Sequence, residues 1–337
     1  MKSNINDVAK HAGVSIKTVS RVMNNEPSVR QSTRDKVLES VNALSYRPNS
    51  AARNLAATKS YTIAYIYDNP NAYYVIDMQN GILSECRKQG YELLIHPCNA
   101  KDPTIVSQLG AMIKVAQLAG VVLTPPFSEM PVLVDALKAQ DIKFVRVLSG
   151  NQSPDPAFPC VMVDDHQAAF NITEHLIQLG HTDIAFIAGG KEHKSTFERL
   201  AGFKAALAEN DIAVNPDFII DGEYSFDSGV SGAQQLLGLS KKPSAIFSCN
   251  DEIAAGALFA SRLENISIPE QLSIVGFENS PFSRQTWPKL TTADQPNSEI
   301  AQRATQLLIT SIRNKQEDAL SNTFVPALIT RDSSGKI

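Results

Sequence analysis

The chain has 337 residues, of which 43% are hydrophobic and 20% are charged, and its formal net charge at pH 7 is −4. This length predicts two or three domains with an ample core. The sequence has no run of 18 apolar residues and no signal peptide, which excludes a membrane-spanning protein and predicts a soluble, cytoplasmic one without a membrane partner. The four cysteines and six histidines are scattered without metal-ligand spacing, so we expect free thiols, no metal site and no cofactor.

Two short helices joined by a tight turn are predicted at the start of the chain, over residues 4–23. Asn4 and Asp7 are placed as a capping box for the first helix, and Gly13 can adopt the positive φ that ends it. Ser15 can cap the second helix. A glycine turn followed by a helix that exposes basic side chains is typical of the helix-turn-helix that enters the major groove. The outward positions of the second helix are Ile16, Lys17, Ser20 and Arg21.

Positive charge is concentrated in the first 60 residues, which hold ten Lys or Arg residues and four Asp or Glu residues. The net charge of this segment is therefore +6, whereas residues 61–337 carry −10. A basic segment on an acidic body is expected when only that segment contacts phosphate. The charge distribution thus favours a DNA-binding headpiece over an ordinary surface helical hairpin.

A third helix is predicted over residues 31–44, after which Pro48 disfavours helix at the preceding residue. Residues 50–57 form a short, alanine-rich segment whose only large apolar side chain is Leu55. So few residues cannot hold a helix alone in water, and we expect this segment to become ordered only in a complex. An ordinary linker helix is the alternative, but Arg53 and the position of the segment favour a conditional DNA-binding element.

The stretches DVAKHAGVSIKTVSRVMN and TRDKVLESVNALSYRPNSAARNLA resemble the DNA-binding headpiece and hinge of the lactose-repressor (LacI/GalR) family of bacterial regulators. The resemblance covers residues 4–59 almost continuously, and later landmarks extend to about residue 295. It implies that Ile16, Lys17 and Arg21 read bases, Arg21 as a bidentate partner of guanine. It also implies that Leu55 wedges into the minor groove and kinks the operator. The residues expected to contact DNA are Ser15, Ile16, Lys17, Thr18, Ser20, Arg21, Asn24, Asn49, Ala52, Arg53, Leu55 and Ala56.

From residue 61 onward, apolar strand candidates alternate with amphipathic helices, which predicts parallel sheets covered on both faces. The number of units is too large for one sheet of usual size, so two α/β subdomains are expected. The resemblance implies a periplasmic-binding-protein-like body in which three crossovers connect two lobes. The predicted strands are Thr62–Tyr67, Tyr91–His96, Gly120–Leu123, Lys143–Leu148, Asp183–Ala188, Ala245–Ser248 and Leu272–Phe277.

The predicted fold is a small all-α helix-turn-helix headpiece with a hinge helix, followed by an α/β body of two parallel-sheet subdomains. The headpiece covers residues 1–48, the hinge covers 49–60, and the effector-binding and dimerisation body covers 61–337. The two lobes of the body are expected at approximately 61–163 with 290–320 and at 164–289 with 321–331.

An effector site is predicted where the strands of the body end, because ligands of open parallel sheets bind beyond the carboxyl ends of the strands. The residues to which this rule points are Asp68, Arg146, Asn250, Asp251 and Glu278. The resemblance implies that Arg199 is the effector-binding arginine and that Tyr224 stacks on the ligand. Glu278 stands where relatives usually carry aspartate, which leaves its ligand contact open. The expected effector-binding residues are Asp68, Tyr73, Tyr74, Arg146, Arg199, Tyr224, Asn250 and Glu278.

Several of these positions also have purely structural interpretations. The tyrosines at 73–74 could be aromatic residues on the rim of an empty cleft. Asp251, beside the expected Asn250, could simply cap the following helix. Arg146 could be held in an ion pair with Glu278 or Asp68.

The combined pattern predicts a sequence-specific transcriptional regulator, in particular a repressor of carbohydrate-utilisation genes. A homodimer joined through the body would present two headpieces to a pseudopalindromic double-stranded operator. An enzyme is disfavoured, because the sequence has no GxGxxG, Walker-type or GxSxG motif in a suitable context. A transport-type binding protein is disfavoured by the basic headpiece.

The class of effector follows less directly. An arginine, an asparagine and carboxylates beside aromatic residues suit a polyhydroxylated ring. The WPKLTT stretch after ENSPF also resembles the family branch that senses sugars and glycosides. A sugar or glycoside is therefore the predicted effector, and a purine or nucleoside is the alternative.

Overall fold

The computed structural model describes residues 3–23, 28–46, 60–151, 155, 157–314 and 322–337. The chain divides into two compact units, one formed by residues 1–62 with 90–92 and the other by the remainder. The first unit contains the headpiece and the second is the α/β body. Within the described residues, no helix is both long and apolar enough to cross a membrane.

The first two helices begin and end with the predicted capping interactions. The side chain of Asn4 accepts hydrogen bonds from the first turn of α1, and the Asp7 carboxylate accepts one from the Asn4 backbone N–H, so the capping box is confirmed. Gly13 has a φ of 65°, and the Ser15 hydroxyl accepts a hydrogen bond of 3.1 Å from the Thr18 backbone N–H. The helices of the headpiece are α1 (Ile5–Ala12), α2 (Ile16–Met23) and α3 (Gln31–Ala43).

A small apolar core holds the headpiece together. Val8 of α1, Val19 and Val22 of α2, and Val37 of α3 are buried in it. Helix α3 begins after Arg30, whose side chain makes no capping hydrogen bond. The three-helix headpiece is therefore stabilised by burial of these valines rather than by a cap on α3.

The first lobe of the body is built on a six-stranded sheet in the order β11-β5-β4-β3-β1-β2. Parallel pairing is recorded from β11 through β5, β4 and β3 to β1. The strands are β1 (Thr62–Tyr67), β2 (Glu92–Pro97), β3 (Gly120–Leu123), β4 (Phe144–Ser149), β5 (Cys160–Val163) and β11 (Asn322–Phe324). The helices of this lobe are α4 (Ala72–Gln89), α5 (Ile105–Val115), α6 (Pro131–Ala139) and α12 (Asn297–Ile312).

The second lobe is built on a four-stranded parallel sheet in the order β7-β6-β8-β9. A separate antiparallel pair joins β10 to β12. The strands are β6 (Ile184–Ile187), β7 (Ile219–Ile220), β8 (Ala245–Ser248), β9 (Ser273–Val275), β10 (Thr292–Asp294) and β12 (Ala327–Ile329). The helices are α7 (Asp165–Gln178), α8 (Lys194–Glu209), α9 (Phe226–Leu237), α10 (Asp251–Leu263) and α11 (Pro281–Gln285).

Close packing of α7 against α8 requires a glycine. A Cβ atom added to Gly202 would collide with the backbone carbonyl of His166. Beneath these helices, the rings of Phe186, Phe203 and Phe247 form the centre of the lobe's core. This packing fixes the position of the first turns of α8, which face the cleft between the lobes.

The structure agrees with the sequence prediction on the main strands. Three of them, Thr62–Tyr67, Gly120–Leu123 and Ala245–Ser248, have the predicted bounds, and the others differ by one or two residues at their ends. Strands β5, β7, β10, β11 and β12 were not predicted. β11 pairs in the first-lobe sheet, and β10 pairs with β12. The chain thus crosses between the lobes at positions that differ slightly from the expected boundaries near 290 and 321.

Candidate functional site

The outer face of α2 carries the side chains expected to read DNA. Ile16 is 49% exposed although it is apolar, and Lys17 and Arg21 are also exposed. The half-buried Thr18 shares a hydrogen bond of 2.9 Å with the hydroxyl of Ser15 at the start of the helix. The half-buried Ser20 also belongs to α2, whereas the predicted contacts Asn24, Asn49, Ala52, Arg53, Leu55 and Ala56 lie outside the described residues.

A cavity of about 50 Å³ lies between the two lobes of the body. It opens at the carboxyl ends of strands from both sheets, where the sequence predicts a ligand. The lining residues are Asn69, Asn71, Tyr74, Pro125, Val147, Leu148, Ser149, Val163, Asp165, His193, Ser195, Arg199, Tyr224, Glu278 and Gln295.

Arg199, on the second turn of α8, is 3% exposed and is held on all sides. Its Nε and Nη2 atoms contact Asp165 Oδ1 at 2.8 and 2.7 Å, and its Nη1 donates to the Cys249 carbonyl at 2.7 Å. Its guanidinium carbon lies 3.6 Å from the centre of the Phe277 ring. Burial by itself lowers the pKa of Arg199, but the acidic groups around it, Asp165 first among them, together raise it above its ordinary value. Arg199 is therefore a permanently charged anchor within the lobe.

Glu278 reaches the cavity from the loop that follows β9. Its Oε2 accepts a hydrogen bond of 2.6 Å from Asn71 Nδ2, which belongs to the other lobe, and its Oε1 lies 4.0 Å from Arg199 Nη1. Burial raises the pKa of Glu278 to about 8, with Arg199 opposing and Asp251 reinforcing the rise. The backbone of Glu278 has a φ of 99°, which is strained for a residue with a side chain.

Two further polar connections cross the cleft. The Ser149 hydroxyl, at the end of β4, donates to Asp165 Oδ2 at 2.5 Å, and its carbonyl accepts a hydrogen bond of 3.0 Å from Lys194 Nζ. Glu129, also in the first lobe, accepts hydrogen bonds from the backbone N–H groups of Ser149 and Lys194. Burial raises the pKa of the Glu129 carboxyl. These bonds join the two lobes.

Tyr224 lines the cavity but is also fixed by the protein. Its ring lies directly over Gly189, where any Cβ atom would overlap the ring. Its hydroxyl shares hydrogen bonds with Thr196 at 2.9 Å and Ser195 at 3.2 Å, and the His193 ring meets it edge-on at 5.3 Å. A ligand can therefore reach the edge and one side of this ring.

Comparison with known proteins identifies the kind of molecule to which this architecture belongs. Residues 4–49 match the model for bacterial regulatory proteins of the lacI family, and residues 173–334 match a periplasmic binding protein-like domain. The chain is 33% identical over 318 residues to catabolite control protein A of Priestia megaterium, with 94% of both chains covered. The chain belongs to the LacI family.

Solved structures show the same fold. The lac repressor dimer bound to operator and the anti-inducer ONPF matches with a TM-score of 0.78 at 24% identity, covering 99% of this chain and 100% of the repressor chain. The complex of the transcriptional regulator CelR with cellobiose matches with a TM-score of 0.75 at 24% identity, covering 98% and 99%. The predicted fold class is confirmed. As a LacI-family member, the chain is a DNA-binding transcriptional regulator and not an enzyme.

Half of the effector residues predicted for this LacI-family chain line the cavity, and half do not. Tyr74, Arg199, Tyr224 and Glu278 line it. The other four have different partners. Asp68 accepts a hydrogen bond from the Ala100 backbone N–H, and Tyr73 packs edge-on against Phe282. Arg146 donates to the Ser128 carbonyl rather than to an acidic side chain, and Asn250 caps α10 by accepting from the Ile253 backbone N–H.

Several polar residues of the cavity were missed by sequence reasoning. Asp165 directly follows the unpredicted strand β5 and the cap residue Asp164, so it would have been found had that strand been recognised. Asn71 also lines the cavity, although only its neighbours Asp68, Tyr73 and Tyr74 were among the expected effector-binding residues. Asp251 does not line the cavity. Its carboxylate accepts hydrogen bonds from Ser280 and Thr292 and so fixes the loop that carries Glu278.

Proposed function

We propose that this LacI-family regulator is a repressor of carbohydrate-utilisation genes, and that a sugar or glycoside bound between the lobes switches its operator affinity. The observation that carries this proposal is the set of neutral polar side chains which both lobes contribute to the cavity. Amides and hydroxyls both donate and accept hydrogen bonds, as the vicinal hydroxyls of a sugar require. CelR, which shares the fold, was solved with cellobiose. The neutral polar residues are Asn69, Asn71, Ser149, Ser195 and Gln295.

Among all the residues that line the cavity, the proposed contacts of the effector are Asn71, Tyr74, Tyr224 and Glu278. Arg199 supports the site by holding Asp165 and by lying near Glu278, because most of its donors already have protein partners. The remaining predicted effector residues would not contact the effector directly and would instead hold the loops around the cavity in position. They are Asp68, Tyr73, Arg146 and Asn250.

Effector binding requires the lobes to separate first. Small-molecule sites usually measure roughly 300–1,000 Å³, whereas the cavity measures about 50 Å³. A sugar would enter the open form and set a new distance between the lobes. Such a ligand shifts the regulator only in so far as it binds the two forms with different affinity. A coupling of about 1–3 kcal/mol is typical.

The proposed path from cleft to operator uses the predicted division into headpiece (1–48), hinge (49–60) and body (61–337). Two copies of the body would form a homodimer, which presents two α2 helices to the half-sites of a pseudopalindrome. Exposed apolar side chains on the body support such contact: Phe259 is 46% exposed and Leu263 is 60% exposed, one turn apart on α10. The hinge segments would order when paired on DNA and loosen when the lobes move.

Gel-shift selection of operator sequences followed by calorimetry tests this function. The full-length protein should select a pseudopalindrome from random duplexes, and one member of a panel of sugars should change the affinity for it. Failure to prefer any sequence over random DNA would overturn the operator-binding role. If a purine or nucleoside binds and every sugar fails, the sugar class is wrong and the regulator still stands.

A further inference from the structure

We propose that the effector carries a protonated amine, as an amino sugar does, and that Glu278 selects it by accepting a hydrogen bond from that amine. The amine proposal assumes that the effector binds in the cleft, and so it rests on the proposed function. What it adds is a charge preference: a cation is favoured, a neutral sugar binds less tightly, and an anionic ligand such as a sugar phosphate is excluded.

Acidic groups outnumber cations among the residues that line the cavity. Asp165 and Glu278 contribute two carboxyl groups, and Arg199 contributes the one guanidinium among the lining residues of the described chain. His193 also lines the cavity, but burial lowers the pKa of its imidazole and so favours the neutral form. The lining therefore has one more acidic group than it has cations.

Arg199 is committed to Asp165 rather than to Glu278. It meets Asp165 Oδ1 at 2.7 Å but stays 4.0 Å from Glu278 Oε1. The ammonium of Lys194 does not supply the missing charge, because it lies 3.2 Å from the Glu198 carboxylate and donates to the Ser149 carbonyl. Within the described residues, the one cation within 4.0 Å of the Glu278 carboxyl is thus Arg199, which lies beyond hydrogen-bond distance.

Glu278 offers one oxygen to a ligand. Its side chain is 10% exposed, and Asn71 occupies Oε2. Across the described chain, Oε1 has no hydrogen-bond donor beyond the distant guanidinium of Arg199. The strained backbone at Glu278, with its φ of 99°, holds this side chain over the cavity. A buried carboxylate oxygen without a donor is costly, and an incoming donor would remove that cost.

The groups that face Glu278 favour a positive partner. The Asp251 and Asp165 carboxyls disfavour its ionised form, whereas Arg199 and the hydrogen bond from Asn71 favour it. An ammonium group would offset this repulsion and form a charge-assisted hydrogen bond, which is about twice as strong as a neutral one. A phosphate is negatively charged, so these acidic groups would repel it. Arg199, the cation that lines the cavity, is already paired with Asp165.

Matched ligands test the charge preference on the full-length protein at pH 7. The probes are glucosamine, galactosamine and mannosamine, each compared with its parent hexose and with the hexose 6-phosphate. Calorimetry should show at least one amino sugar binding about tenfold or more tightly than its parent, a gain expected of a charge-assisted contact. The 6-phosphates should not bind, and the same amino sugar should change operator affinity.

The variant Glu278→Gln separates charge from shape, since its amide oxygen can still accept from Asn71. We expect it to lose the tenfold advantage of the amino sugar over its parent hexose. Glu252→Gln is the matched control: Glu252 is a partly buried carboxyl on the same lobe that does not line the cavity. This control should retain the full preference.

Proton release gives a second readout. Because burial raises the pKa of Glu278 to about 8, an ammonium that binds beside it at pH 7 should expel up to about one proton into the buffer. Calorimetry in two buffers of different ionisation enthalpy measures this proton, and Glu278→Gln should abolish the difference between the buffers.

Four outcomes would contradict the proposal that the effector carries a protonated amine. They are equal binding of an amino sugar and its parent, binding of a 6-phosphate, absence of binding by all three amino sugars, and an undiminished preference in Glu278→Gln. After any of these outcomes, the proposed function as a sugar-responsive repressor is still supported if a neutral sugar or a sugar phosphate changes operator affinity. The proposed function itself fails if the protein does not select an operator or if none of the sugars, charged or neutral, affects that binding.

Discussion

Keeping Glu278 ionised in a closed cleft should cost stability, and the sign of this effect can be worked out. Burial raises its pKa from 4.5 to about 8, so the folded protein holds this proton more tightly than the unfolded chain does. Between those two pH values the unfolded chain releases the proton first, and stability falls as the pH rises. Glu278→Gln should therefore gain on the order of 2 kcal/mol relative to wild type at pH 9 and little at pH 4.

Urea unfolding of both proteins at the two pH values measures this difference. A stability difference between Glu278→Gln and wild type that is equal at pH 4 and pH 9 would contradict the raised pKa.

Arg199 and Asp165 form a buried ion pair whose two halves should not be independent. Arg199→Met should destabilise the body by about 3–5 kcal/mol, because it leaves the Asp165 carboxylate buried without its cation. Adding Asp165→Asn should recover more than half of that loss. A double-mutant cycle by urea unfolding gives the coupling energy, and strictly additive losses would show that the pair contributes only packing.

Helix α2 separates two kinds of DNA contact. Arg21→Ala should cost about 1–3 kcal/mol on the operator and relax the choice of base at one position per half-site. Lys10→Ala, which removes an exposed charge from the last turn of α1, should weaken operator and random duplexes about equally. Titrations of both variants on a set of operator point mutants decide this. Equal losses on all sequences for Arg21→Ala would remove its assignment as a base reader.

The elements recognised from sequence were those whose signal is local. Strands β1, β3 and β8 are continuous apolar runs, and their flanking turns mark the ends. Strand β11 has only three residues and is placed by pairing with β5, far away in sequence, so no local pattern encodes it. The same limit explains the site: Glu278 was found at the end of a predicted strand, whereas Asp165 was missed together with β5.

Capping chemistry was predicted more fully than the packing of the cleft. The box formed by Asn4 and Asp7, and the positive φ of Gly13, depend on residues a few positions apart. The contacts of Arg199 with Asp165 and the Cys249 carbonyl join segments separated by 34 and 50 positions. Sequence reasoning placed Arg199 in the cleft but could not show that its donors were already occupied.

At the scale of the whole body, one carboxylate connects both lobes. Glu129 accepts from the backbone N–H of Ser149 in its own lobe at 3.4 Å and from that of Lys194 in the other at 3.3 Å. Glu129→Ala should therefore raise the amide hydrogen-exchange rates at Ser149 and Lys194, because it removes a contact that favours the closed form. Exchange at Ile246, in the centre of β8, should not change.

Hydrogen-exchange mass spectrometry or NMR on the full-length protein measures these rates, and Glu129→Gln is the control that retains an acceptor. If the amide of Lys194 exchanges equally fast in wild type and Glu129→Ala, the carboxylate does not hold the lobes together. A rise that extends to β8 would indicate general loosening of the second lobe rather than opening of the cleft.

The loop that carries Glu278 is tied down on several sides. Asp251 accepts from the Ser280 backbone N–H at 2.7 Å and from the Thr292 hydroxyl at 2.6 Å. Asn279 donates to Asp294 and accepts from Arg331. The entropic cost of ordering this loop thus arises when the protein folds and not when it binds a ligand. A new effector specificity is therefore harder to acquire by changing residue 278 alone than by rebuilding its anchors, because a rigid loop cannot adjust to a different ligand.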